Sequence, residues 1–188
     1  MKRTILGLIG FLLLVSSAAA LDLSSSTIST PEWIRANGAD SSVITVTVMD
    51  TTNSPVAGAD VTFALDAASQ TLGTISPSIP VKTDAAGIAT AVFTTKTISG
   101  NAIIHASVSV NDGETPPVTL TTYQRIDHNT PDKAIFDTYP TELMVGSETR
   151  VNLTVYDYWN NRVDNRNVSE AVRITVTGGN GVGLKDGT

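Results

Sequence analysis

The stretch Ile44-Thr-Val-Thr-Val-Met-Asp50 decides the fold, because its residues alternate between apolar and polar and the stretch recurs as Val151-Asn-Leu-Thr-Val-Tyr-Asp157. Alternation with a period of two is typical of a half-buried β-strand. The match continues past each aspartate, since Asn53 and Asn160 each lie three residues further on. A recurring segment of this kind predicts a modular architecture. The alternation then returns in both copies, at Val61, Phe63 and Leu65 and at Val172, Ile174 and Val176.

Short alternating segments separated by turn residues fill the chain from Leu21 to Gln124. Glycine and proline recur between them, since glycine admits positive φ and proline fixes φ. Outside residues 1–20 no segment has a helical period, so we expect an all-β fold. Seven strands with turns between them are typical of a β-sandwich. The predicted strands are 24–30, 43–49, 61–65, 81–83, 88–94, 102–110 and 118–123.

The turn residues carry their own predictions. Asp50 and Asp157 follow the same strand in the two copies. Each is expected to accept hydrogen bonds from the backbone of the next turn. The segment Asp84-Ala-Ala-Gly87 is predicted to form a hairpin between two strands.

Residues 1–20 have the organisation of a secretory signal peptide. Lys2 and Arg3 precede an apolar run from Ile5 to Val15, and Ala18-Ala-Ala20 provides small residues for cleavage. The alternative is an uncleaved membrane anchor, but about 11 apolar residues fall short of the roughly 20 that span a bilayer. We therefore expect an exported protein, extracellular or at the cell surface, with no transmembrane span in the mature chain.

The charge and the cysteine content exclude several function classes. The formal net charge is -6, and loss of residues 1–20 removes two of 12 basic and none of 18 acidic residues, which gives -8. A negative chain disfavours nucleic acid and anionic lipid as partners. The chain has 0 cysteines. This excludes thiol catalysis and thiolate metal sites, and the fold must be held by core burial without a disulfide.

Four segments carry a family resemblance: ANGADSSVITVTVMD (36–50), NSPVAGADVTFAL (53–65), TDAAGIATAVFTT (83–95) and SGNAIIHASVSV (99–110). They resemble the bacterial immunoglobulin-like repeats of the invasin and intimin family, known as Big-1 domains. The residues at the turn and core positions of that pattern are Gly38, Asp50, Asn53, Pro55, Val56, Gly58, Val61, Phe63, Thr83, Asp84, Gly87, Ala89, Gly100 and Ala106. The resemblance is weaker over 130–188, where Arg162 stands at the position of Pro55.

The resemblance implies tandem immunoglobulin-like β-sandwich domains that form a rod on a microbial surface. The residues that define the family pattern have structural roles, so the resemblance implies no catalytic residue. The predicted organisation is a signal peptide (1–20), a Big-1-like sandwich (21–126), a linker (127–132) and a partial second sandwich (133–188). The second domain is expected to be truncated, since counterparts of strands 88–94, 102–110 and 118–123 are missing before Thr188. In that case the native chain continues or another chain supplies the missing strands.

Candidate chemistry is sparse, and we expect no catalytic, cofactor-binding or metal-ligating residues. His105 and His128 are predicted on an outer strand face and in the linker, without carboxylates arranged around them, which disfavours a shared metal or catalytic role. Asp112-Gly-Glu114 offers oxygen ligands for calcium but lacks the spacing of a calcium loop, so an acidic turn is favoured. Asn152 and Asn167 lie in N-glycosylation sequons.

A cluster of aromatic and amide side chains follows the second copy of the strand. Aromatic faces beside amides are the components of a sugar-binding platform or a protein contact. The alternative, which we favour, is packing against the neighbouring domain. The cluster consists of Tyr156, Tyr158, Trp159, Asn160 and Asn161.

These features predict a non-enzymatic exported module of a microbial cell-surface protein, acting as a stalk, a spacer or an adhesin. Its expected partners are adjacent immunoglobulin-like domains of the same chain, and a surface protein or a glycan. The alternative is a carbohydrate-binding or accessory module attached to an extracellular enzyme outside this sequence.

The pattern assigns Phe63 to the inner face of its strand and Thr62 to the outer face. We expect Phe63→Ala to lower the free energy of unfolding by roughly 3–5 kcal/mol, because it leaves a cavity in a core with no disulfide to support it. Thr62→Ala is the control and is expected to cost well under half as much. Urea denaturation of both variants measures the difference, and equal costs would show that the faces are assigned wrongly.

Overall fold

The structure, a computed structural model, describes residues 21–22, 25–110, 115–139, 144, 146–148 and 150–164. The strands found there confirm the predicted all-β class. Within the same residues no helix is both long and apolar enough to cross a membrane. The predicted signal peptide and residues 165–188 lie outside the described residues.

The elements are β1 Thr27–Ser29, β2 Trp33–Arg35, β3 Ser41–Thr47, β4 Asp60–Leu65, a 3-10 helix Ala67–Thr71, β5 Gly73–Ser76, β6 Val81–Lys82, β7 Ile88–Thr95, β8 Gly100–Ser109, β9 Val118–Asp127, β10 Pro131–Tyr139 and β11 Arg150–Asp157.

Strands β1 to β9 form two sheets that pack face to face, which we call the sandwich. One sheet has the order β1-β3-β7-β5 and the other β2-β9-β8-β4-β6. All pairings are antiparallel except that of β2 with β9, which is parallel. The sequence predicted seven strands here and missed β2 and β5. These strands have three and four residues, which is too short to show a period of two.

Apolar side chains from both sheets meet in one core. In β3 and the residue after it, Ile44, Val46 and Val48 are buried, as their alternation predicts. Phe63 is buried on β4 while Thr62 is exposed, so the predicted faces of that strand are confirmed. The remaining buried apolar residues are Ile34, Ala36, Ala59, Val61, Ala89, Ala91, Phe93, Ala102, Ile104, Ala106, Val108, Leu120 and Ile126.

One polar contact connects the two sheets through this core. Gln124 on β9 is fully buried, and its side-chain oxygen accepts a hydrogen bond of 2.9 Å from the Ser42 hydroxyl on β3. Its amide nitrogen donates to the backbone oxygens of Pro31 and Arg125. A buried amide is tolerated when its donors and acceptor are paired in this way. Because the pairing requires Ser42 directly opposite, it fixes how the two sheets align.

The turn Asp84–Gly87 joins the two sheets, so the predicted hairpin is wrong. Strand β6 before the turn pairs with β4, whereas β7 after it lies between β3 and β5. The turn itself is as expected, because the Asp84 carboxylate accepts from the backbone N–H groups of Ala86 and Ile88 at 2.9 Å. Turn residues predict a reversal of the chain but not which strands pair afterwards.

Strands β10 and β11 pair antiparallel and, with the segment up to Asp164, form what we call the ribbon. Only residues 128–130 separate β9 from β10, which is shorter than the predicted linker 127–132. The difference arises because β2 pairs with the end of β9 as far as Asp127. The predicted continuation of the second domain beyond residue 164 lies outside the described residues.

Gly87 adopts φ +73°, and a Cβ atom there would lie 2.5 Å from the Val48 carbonyl oxygen. The Gly87 carbonyl also accepts from the Val48 N–H at 2.8 Å, so a backbone shift that relieves the clash would stretch this hydrogen bond. Gly58 is a matched control, since its φ is +76° but nothing lies within 4 Å of the same Cβ position.

We expect Gly58→Ala to cost about 1–2 kcal/mol from the positive φ alone. Gly87→Ala is expected to cost about 1–3 kcal/mol more, because it adds overpacking to the same strain. Thermal unfolding of the two variants measures the difference. Equal losses would show that the contact with the Val48 carbonyl has no energetic role.

Candidate functional site

The turn that ends the ribbon has the same backbone hydrogen bonds as the turn after β3. Asn53 and Asn160 have φ of 62° and 71°, and each donates its N–H to the carbonyl oxygen of the preceding aspartate at 3.0 Å. Asparagine tolerates this left-handed conformation better than most residues. Six residues after the aspartates, Val56 and Val163 donate their N–H groups back to the strand. The match found in the sequence therefore corresponds to one turn structure built twice.

Asp50 caps the first of these turns, as predicted. One of its carboxylate oxygens accepts from the N–H and hydroxyl of Thr52 at 2.8 and 2.7 Å and from the Ser54 N–H at 2.9 Å. These hydrogen bonds, that of the Thr52 hydroxyl foremost, lower the pKa of Asp50. Because the folded state has the lower pKa, Asp50 contributes stability at neutral pH that is lost as the pH falls below about 4.

Asp157 caps the second turn but reaches further. Its side chain is fully buried and accepts from the N–H and the side-chain amide of Asn161 at 2.8 and 2.9 Å. It also accepts from the backbone N–H of Asn129 at 2.9 Å. Asn129 lies in the segment that connects the sandwich to the ribbon. The turn therefore holds the connecting segment as well as itself.

Asn161 extends this contact into the sandwich. Its side-chain amide donates to the Thr97 carbonyl at 2.9 Å, and its side-chain oxygen accepts from the Ser99 N–H at 2.8 Å. Thr97 and Ser99 lie in the loop between β7 and β8. The first copy has Ser54 at the equivalent position, which is too short to make both bonds. We call this arrangement of Asp157, Asn129 and Asn161 the joint.

The other residues of the predicted aromatic cluster do not form one surface. Tyr158 and Trp159 are 71% and 45% exposed, and their rings contact edge to face with centroids 5.0 Å apart. Asn160 beside them is exposed. Tyr156 is partly buried, and the Lys133 ammonium lies 5.9 Å from the centroid of its ring. The structure thus divides the cluster into an exposed aromatic pair, a separate Tyr156 and the joint residue Asn161.

The candidate modification and calcium residues are only partly described. Asn152 lies exposed on β11, opposite Asp137 on β10. The second sequon residue, Asn167, and the acidic segment Asp112-Gly-Glu114 lie outside the described residues. His105 lies on the outer side of β8, where its Nδ1 atom is 3.0 Å from the Thr121 hydroxyl.

His128 is placed differently from the expectation. It lies next to the joint, is only 6% exposed, and has two carboxylates beside it, those of Asp127 and Asp164. One ligand atom from each of the three residues lies within 4.8 Å of the others. The sequence could not show this grouping, since Asp164 is brought to His128 by the joint. The group lines a cleft of about 580 Å³ together with Ser99, Gly100, Asn101, Arg125, Ile126, Arg162 and Val163.

Comparisons with known proteins find one matching family model and several similar solved structures. A family model described as "Invasin, domain 3" matches residues 22–123. The chain is similar to the solved structure of the Yersinia pseudotuberculosis adhesin InvE, at 30% identity and a TM-score of 0.46, over 73% of this chain and 36% of that chain. It is similar to invasin, described as a bacterial integrin-binding protein, at 23% identity and a TM-score of 0.52, over 79% and 29%.

A third similar structure is the Escherichia coli adhesin FdeC, at 18% identity and a TM-score of 0.49, over 78% of this chain and 45% of that chain. A search of curated proteins finds no match. The likeness to invasin shows a shared fold. The chain spans less than half the length of each of these three solved chains.

The joint makes a specific prediction for Asp157→Asn. An amide has one acceptor oxygen, whereas Asp157 uses both carboxylate oxygens, one for the Asn161 N–H and one for Asn129 and the Asn161 side chain. In either orientation the new NH₂ group faces a donor. We expect a loss of about 1–3 kcal/mol in the free energy of unfolding and faster hydrogen exchange at the Asn129 amide.

Asp50→Asn is the matched control, because a single oxygen of Asp50 accepts all three hydrogen bonds in its turn and an amide oxygen can replace it. We expect it to leave exchange at the Asn129 amide unchanged. If Asp157→Asn also leaves that exchange unchanged, the carboxylate does not hold the connecting segment.

Proposed function

The chain belongs to the family described as Invasin, domain 3, and from this membership we propose that it is a non-enzymatic structural or adhesive module of a microbial cell-surface protein. The similar proteins InvE and FdeC are described as adhesins, and invasin as integrin-binding. Within this class the module acts as a stalk, a spacer or an adhesin, outside the cell after export directed by residues 1–20.

The observation that carries this proposal is the hydrogen-bonded joint. Units joined by ordinary linkers move relative to one another by default. Here three residues connect the sandwich to the ribbon, Asp157 binds the backbone of Asn129, and Asn161 binds the loop between β7 and β8. A stalk or spacer needs successive units held in a fixed orientation, and these bonds provide it.

The proposed partners follow from the same features. The ribbon is the start of an adjacent immunoglobulin-like domain of the same chain, which meets the sandwich at the joint. The acidic character of the chain disfavours nucleic acid. The exposed aromatic pair is suited to a surface protein or a glycan, because its rings offer apolar faces to solvent.

That same pair favours the second candidate, a carbohydrate-binding or accessory module attached to an extracellular enzyme. A glycan array separates the two functions when it is repeated with Tyr158→Ala and Trp159→Ala. Strong glycan binding that both variants lose would favour the accessory module. No glycan binding, or binding that survives both substitutions, would leave the structural module as the better account.

The stalk proposal predicts that the sandwich and the ribbon tumble as one body. Nuclear magnetic relaxation of backbone ¹⁵N should give the same rotational correlation time for amides in β3 and β11. Asn161→Ala removes the bonds to Thr97 and Ser99. We expect it to shorten the correlation time of the ribbon relative to that of the sandwich.

Asn160→Gly is the control for this substitution. It changes the neighbouring residue of the same turn and suits the positive φ of that position, while the joint hydrogen bonds remain. We expect it to leave the two correlation times equal. Unequal correlation times in the unmodified chain would contradict a rigid stalk.

A further inference from the structure

We propose that Asp127, His128 and Asp164 bind Zn²⁺, or a divalent cation of similar ligand preference, between the sandwich and the ribbon. The three side chains offer one imidazole nitrogen and carboxylate oxygens that all lie within 4.8 Å of one another. Asp127 is the last residue of β9, His128 follows it in the connecting segment, and Asp164 lies after the turn that follows β11. The site does not depend on the structural role proposed above, since metal binding is measured directly.

A hydrogen bond to the backbone fixes the tautomer of His128. Its Nδ1 atom lies 2.7 Å from the Asn129 carbonyl oxygen. A carbonyl can only accept a hydrogen bond, so Nδ1 carries a proton and donates it. In the neutral ring, Nε2 is then an unprotonated acceptor with its lone pair available. A metal-binding histidine is oriented by the same kind of hydrogen bond from its other ring nitrogen.

The lone pair of Nε2 lies in a buried environment beside a carboxylate. The His128 side chain is 4% exposed, and Nε2 is buried with no hydrogen-bond partner among the described residues. The nearest carboxylate oxygen is Oδ1 of Asp164 at 3.6 Å, which is longer than a hydrogen bond. Nε2 and Oδ1 of Asp164 are both acceptors, so a positive charge between them relieves their repulsion. A cation supplies that charge without a proton on Nε2.

The distances fit a small ion. Zinc binds nitrogen and oxygen at about 2.0–2.2 Å, so tetrahedral ligand atoms lie roughly 3.3–3.6 Å apart. The separation of Nε2 and Asp164 Oδ1 already has this value. All three ligand atoms lie within 4.8 Å of one another, so any wider separation needs to close by about 1 Å, which a rotation of a carboxylate can supply. A mixed set of imidazole and carboxylates suits zinc better than magnesium or calcium, which favour oxygen alone.

Neighbouring groups support the ligands. The Arg125 guanidinium donates to Oδ2 of Asp127 at 2.5 Å and orients that carboxylate. Arg125 and Arg162 also line the cleft, so they compete with a cation for the carboxylates and limit its affinity. The cleft of about 580 Å³ gives an entry path and room for a water molecule as the fourth ligand. Since the ligands come from both sides, a bound ion cross-links the sandwich to the ribbon.

The test uses the full 188-residue chain without a histidine tag, freed of metal by a chelator that is then removed. Calorimetric titration with ZnCl₂ is expected to show one ion per chain. Titration with Co²⁺ should give visible absorption bands of a tetrahedral nitrogen and oxygen site. Asp164→Asn keeps the shape of a partly exposed side chain and should weaken zinc binding at least tenfold. His128→Ala should abolish it.

His105→Ala is the control, because it removes the other histidine of the chain from the outer face of β8 and should leave zinc affinity unchanged. Circular dichroism checks that each variant is folded, and if His128→Ala is not, Asp164→Asn decides alone. The proposal is overturned if the unmodified chain takes up no zinc, or if Asp164→Asn binds zinc as tightly as the unmodified chain. Equal weakening by His105→Ala would overturn it as well.

Discussion

A buried carboxylate is costly unless donors surround it, and Asp157 satisfies this requirement with groups from two parts of the chain. Two of its hydrogen bonds come from Asn161 in its own turn and the third comes from Asn129 in the connecting segment. The requirement for that third donor fixes where the ribbon lies relative to the sandwich. The contact of Asn161 with the loop between β7 and β8, and the approach of Asp164 to His128, both follow from that position.

The two copies of the turn show how one local structure acquires a second role. In both, an aspartate carboxylate and an asparagine with positive φ close the turn. In the first copy the carboxylate is occupied by Thr52 and Ser54, so the turn is self-contained. In the second copy Trp159 and Asn161 stand at those positions. The carboxylate is then free of the threonine hydroxyl and can bind the connecting segment.

Period-two alternation predicted the strands that supply the core, because each has enough residues to show which face is buried. It missed β2 and β5, and it mistook the Asp84–Gly87 turn for a hairpin, because pairing depends on contacts between distant strands. The caps at Asp50 and Asp157 were predictable, since they are formed within a few residues. The joint and the grouping around His128 were not, because Asn161 and Asp164 meet their partners only after both units are placed. The local sequence signal of the joint was that the second copy of the turn has Asn161 where the first copy has Ser54.

In the proposed stalk, the parallel pairing of β2 with β9 has a mechanical consequence. Strand β2 lies near the start of the sandwich and β9 is its last strand. When tension pulls the two ends of the sandwich apart, β2 is pulled toward its N-terminal end and β9 toward its C-terminal end. The two parallel strands then slide past one another. The hydrogen bonds between Trp33–Arg35 and Arg125–Asp127 then resist the pull together, whereas strands peeled apart from one end would lose their bonds one at a time. Asp127, the last residue of this strand pair, also belongs to the group formed with His128 and Asp164. A cation bound by this group would anchor the end of β9, where the tension acts.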